Sequence, residues 1–171
     1  MRKRNRVLLF SVLAVILLLL YLFFNPVLLY FPDENVKHPE NTYVKGDTIN
    51  PLREFDFESG GYTAYIILKE KVDVVDMPFG TAFKTIDAAL LKQLQQKVSF
   101  TYSGGDMATV ENEFLLFEND SLVFKTGIVL DEHSQGFQSG HFGWIKANGK
   151  NALSKYCKQF SVCFPVIVFP N

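Results

Sequence analysis

The sequence predicts an α+β domain, an antiparallel sheet of about five to six strands with two helices on one face, preceded by one N-terminal transmembrane helix. Three observations carry that prediction. Residues 7–24 hold no charge and, apart from Ser11, are all apolar. Apolar residues recur at three- and four-residue intervals between Ala82 and Leu94, the spacing of one helix face. Between Val98 and Leu130, apolar and polar residues alternate, the spacing of strands with one dry face and one wet face.

The membrane helix comes first. Its 18 uncharged residues would rise about 27 Å, close to the roughly 30 Å of a bilayer's hydrocarbon core. Residues 25–31 extend the hydrophobic stretch, enough to span with tilt, and a bilayer tolerates the kink that Pro26 brings. Tyr21, Tyr30 and Phe31 suit the far interface. A cleavable signal peptide needs small residues at its cleavage point, whereas Tyr21-Leu22-Phe23-Phe24-Asn25-Pro26 is bulky. Arg2, Lys3, Arg4 and Arg6 precede the span, and Asp33 and Glu34 follow it. The positive side stays inside, so residues 1–6 are read as a cytoplasmic basic tail and 7–31 as a signal anchor in the cytoplasmic (inner) membrane. The remainder then lies outside the cytoplasm, on the periplasmic side in a Gram-negative cell.

Residues 32–171 are one domain's worth of chain and can bury a core. Without the four N-terminal charges, 13 of the 17 basic residues remain against 18 acidic ones, a formal charge of −5. Twelve of the 13 are lysine, and no basic patch with interleaved aromatics occurs, which excludes nucleic acid as the expected partner. Cys157 and Cys163, both outside the cytoplasm, are expected to form a disulfide worth about 2 kcal/mol for so short a loop. The sequon Asn119-Asp120-Ser121 falls at an expected hairpin turn.

Residues 32–61 read as a stalk, with Pro32, Pro39 and Pro51 and little periodicity. The folded domain is expected over 62–171. Tyr62, Ala64, Ile66 and Leu68 share one face of a first strand, and 72–77 reads as a second. Pro78-Phe79-Gly80 breaks the pattern, and Thr81 is expected to cap a helix carrying Ala82, Phe83, Ile86, Leu90 and Leu94 on its buried face. A meander follows: Val98, Phe100 and Tyr102; a turn at Ser103-Gly104-Gly105-Asp106; Val110, Phe114 and Leu116; a turn at Glu118-Asn119-Asp120; then Leu122, Phe124, Ile128 and Leu130. Residues 131–149 contain four glycines and no clear period, 150–159 reads as a short helix, and 161–169 as a terminal strand that Pro165 confines to an edge or bulge.

Chemistry, if present, is expected in the irregular stretch 131–149, because long loops in compact domains tend to be functional. Phe137, Phe142 and Trp144 are the candidate anchors for a protein partner, since aromatic anchors dominate interface energetics. Asp131, His133 and His141 form the candidate metal or acid–base set, although His-x7-His is not a standard ligand spacing. No catalytic residue and no cofactor is assigned. Elsewhere, Glu111 and Glu113 read as the wet face of a strand, and neither the nucleophile-elbow nor the phosphate-loop pattern is met. The layout therefore leads to an extracytoplasmic protein-binding module on a membrane anchor, an inhibitor or immunity protein or an accessory subunit of an envelope complex. The alternatives are a small hydrolase or metal-dependent enzyme using 131–149, and an envelope sensor of a small ligand.

Overall fold

The computed structural model describes residues 2–24, 36, 43–70, 72, 81–105 and 110–163. The strand expected at 72–77 beyond Val72, the break at 78–80, Asp106 and the chain after Cys163 lie outside them, as do most of 25–42.

The chain is α+β and its sheet is antiparallel throughout, but the sheet is larger than predicted. Helix α1 (Arg2–Phe24) is followed by strands β1 (Thr48–Ile49), β2 (Tyr62–Leu68) and β3 (Thr81–Thr85), then helix α2 (Ala88–Lys97). Strands β4 (Phe100–Tyr102), β5 (Glu113–Glu118), β6 (Ser121–Leu130), β7 (Gln135–Ser139) and β8 (Gly143–Ala147) come next, then helix α3 (Ser154–Cys157) and strand β9 (Ser161–Cys163). The nine strands lie in the order β1-β4-β8-β7-β6-β5-β2-β3-β9. Strands β5 to β8 form a meander. β4 is not part of it: it pairs with β8, placing Phe100 opposite Ala147.

Alternation along the strands separates two apolar clusters. The larger contains Ala64, Ile66, Phe83, Phe114, Phe124, Phe137 and Ile145, and both α2, through Leu90, Leu91 and Leu94, and α3, through Tyr156 and Cys157, bury into it. The smaller contains Ile67, Ala82, Leu115, Phe117 and Leu122, with Val36 packed against it. Ile66 and Ile67 are neighbours in β2 and fall in different clusters, as successive strand residues on opposite faces must.

Three expectations need correction. The helix predicted from Thr81 begins only at Ala88, capped by Asp87, whose Oδ1 accepts from the amides of Ala89 at 2.9 Å and Leu90 at 3.2 Å. Residues 81–85 form β3 instead. Ala82 and Phe83 are both buried because both sheet faces are covered there, and two adjacent buried residues imitate a helical period. The stalk predicted over 32–61 is built into the domain from residue 43 onward. Ile49, Leu52, Phe55 and Phe57 are core residues, and Gln95 of α2 donates to the carbonyls of Leu52 at 2.7 Å and Phe55 at 2.8 Å. Finally, 131–149 is no long loop but the β7–β8 hairpin, with Phe137 paired to Ile145 and Gln138 to Trp144.

The turn at 118–120 is as predicted. Asn119 and Asp120 both take positive φ, 48° and 67°, the paired left-handed conformation that matches strand twist in a tight hairpin. Helix α3 has no side-chain cap of its own. Gln135 of β7 supplies one: its Oε1 accepts from the amides of Leu153 and Ser154, each at 3.0 Å, and its Nε2 donates to Ser154 Oγ at 3.0 Å. Gln135→Leu would leave two buried amides without their acceptor and should lower stability by about 2–4 kcal/mol in urea unfolding. An unchanged midpoint would show that α3 does not depend on this contact.

Candidate functional site

The predicted site residues do not come together. Asp131 and His133 occupy the exposed β6–β7 turn, and His141 occupies the β7–β8 turn. Between them runs β7, whose five residues at about 3.3 Å each set the two turns roughly 16 Å apart. Metal ligands sit about 2 Å from the ion, so this set cannot share one. Among the described residues no group of three His, Cys, Asp or Glu could hold a metal ion.

The aromatic candidates are buried. Phe137 is 0% exposed, with its ring 5.0 Å from Phe100 in a stacked pair and 5.3 Å from Phe114. Phe142 stacks on Phe124 at 6.5 Å. Trp144 is 4% exposed and faces away from the larger cluster, across β8 from Ile145. Its ring lies over Gly136: a Cβ there would stand 2.7 Å from Trp144 Cη2 and 2.1 Å from the Ile145 carbonyl oxygen. The glycine that suggested a loop is the space the indole occupies. Phe137 and Phe142 tie the hairpin to the larger cluster, Trp144 packs over Gly136 within it, and all three rings are buried.

Both cysteines are free thiols, so the expected disulfide is not formed. Cys157 belongs to the larger cluster, and Cys163 packs against the smaller one on the other sheet face. A pair of cysteines expected outside the cytoplasm suggested a bridge, but the two lie against clusters on opposite faces of the sheet. Burial pushes the Cys157 thiol up to about 12. Tyr62 is likewise raised to about 12, first by burial and then by the Glu118 carboxylate, which accepts its hydroxyl proton at 2.8 Å.

Sequence reasoning missed two arrangements. Glu113, read as wet-face surface, has a side chain only 14% exposed and lies 3.4 Å from both Lys69, just after β2, and Lys125 of β6, a three-residue ion network. The other is an open cleft of about 540 Å³ at the β9 edge of the sheet. It is lined by Lys84, Thr85, Ile86, Asp87 and Leu90 from β3 and the start of α2, and by Gln159, Ser161, Val162 and Cys163. Ile86 is 70% exposed and Val162 46%. Beyond α1, Val44 is the only other large apolar side chain so exposed among the described residues. The signal in the sequence was Ile86 itself: placed on a helix face it seemed buried, but it sits in the link between β3 and α2. A further cleft of about 470 Å³ holds Glu132, His133, Lys146 and Lys150, with the Gln135 amide already committed to α3.

No protein-family model matches the chain, and no curated protein or solved structure matches it either.

Two outcomes test this arrangement. Trp144→Ala should cost about 3–5 kcal/mol in thermal or urea unfolding, whereas His133→Ala and His141→Ala should stay within about 0.5 kcal/mol of the parent. Loss of a bound metal in either histidine variant would overturn the assignment. Thiol labelling of denatured protein without reductant should find two cysteines, and labelling of folded protein should reach Cys163 but not Cys157. Both raised groups keep their protons longer in the folded chain, so their stabilisation is complete below about pH 9 and fades as pH rises toward 12. Cys157→Ala should flatten that alkaline loss.

Proposed function

We propose that this chain is a membrane-anchored, extracytoplasmic protein-binding module, serving as an inhibitor or immunity protein or as an accessory subunit of an envelope complex. The observation that carries the anchor is the state of α1. Val7, Leu8, Leu9 and Phe10 are all about two-thirds exposed, as consecutive residues around a whole helical turn, and Leu17 to Tyr21 repeat the pattern. A helix that is apolar all round belongs in a core or a bilayer, not in water. Among the described residues no helix is long and apolar enough to cross a membrane, and the described side chains of α1 begin at Val7 and end at Leu22. The uncharged sequence continues through Phe24 and the basic residues precede it, which supports insertion with the N-terminus inside.

The binding half of the proposal moves from 137–144 to the β9 cleft. Burial removes Phe137, Phe142 and Trp144 as anchors, while Ile86 and Val162 are apolar, exposed and side by side at a concave sheet edge. Such a patch, rimmed by Lys84 and Asp87, has the composition of a contact site.

A reporter active only outside the cytoplasm should work when fused after Asn171, and the full chain should stay with membranes after an alkaline wash. Recovery of a soluble species beginning near residue 30 would sink the anchor. For the cleft, cross-linked capture of any partner protein should fall at least tenfold with Ile86→Glu, a change at an exposed position that leaves the melting curve unaltered.

A further inference from the structure

We draw no further inference here: the strongest candidate, the cleft that β3, the start of α2 and β9 form around the exposed Ile86 and Val162, is an apolar patch with one lysine and one aspartate at its rim, and nothing in the structure shows what covers it.

Discussion

The contact around which the domain is organised is the ring cluster at Phe137 and Phe124. Phe137 lies within 5.0–6.4 Å of Phe100, Phe114 and Phe124, which come from β4, β5 and β6. Phe124 in turn meets Phe55 at 5.9 Å and Phe142 at 6.5 Å. Offset and edge-on ring pairs contribute roughly 0.5–1.5 kcal/mol each beyond the area they bury. Their larger consequence is connectivity. One cluster joins the segment before β2, the centre of the sheet and the β7–β8 hairpin, which are distant in sequence. Remove its centre and the strands that α2 and α3 cover lose their common floor.

That dependence explains what was legible in the sequence. Tyr62, Ala64, Ile66 and Leu68 read correctly as one face of a strand, as did Phe100 with Tyr102 and Phe124 with Ile128 and Leu130; Leu122, expected with the last three, falls in the smaller cluster because the ladder shifts register at Leu116/Phe117. Thr63 and Tyr65 in β2 and Lys125 and Gly127 in β6 are half-buried between buried neighbours, although Ile67 and Val129 are buried too. The pattern failed in β3. Ala82 and Phe83 fall in different clusters, so period two vanishes locally and the adjacent apolar pair joins Ile86 and Leu90 in a false helical period. Asp87, a strong N-cap side chain, was the cue to the true start of α2. Phe55 and Phe57 were placed in a stalk because residues 32–61 hold three prolines and little periodicity. Nothing in their local spacing says that they pack under Tyr62 and Phe124, a contact set by tertiary structure alone.

The hairpin 135–147 is the most instructive misreading, because its glycines have different physical duties. Gly143 takes φ of +67° at the end of a turn, which is loop chemistry. Gly136 is in the middle of a strand, where its missing Cβ admits the Trp144 ring. Composition counts the two alike. Once the glycines are counted as loop, Phe137, Phe142 and Trp144 become displayed aromatics and the histidines become neighbours. Paired as strands, the same residues bury the rings and send Asp131 and His133 to one end and His141 to the other.

The surface left for recognition is therefore what the core does not use. Strand β4 and the two-residue β1 close one side of the sheet, and the 43–57 segment packs beside them, tied to α2 through Gln95. At the other side, α2 begins one residue after Asp87, and its first buried contact is Leu90. Ile86 therefore lies upstream of the helix's buried stripe and downstream of the ladder that ends at Thr85. Among the described residues it has no strand partner, and it stays 70% exposed. An isoleucine so placed forgoes roughly 1.5–3 kcal/mol of burial that a core position would provide. Val162, in the last strand of the sheet, is also exposed, so two of the three large apolar side chains left exposed beyond α1 among the described residues line one cleft.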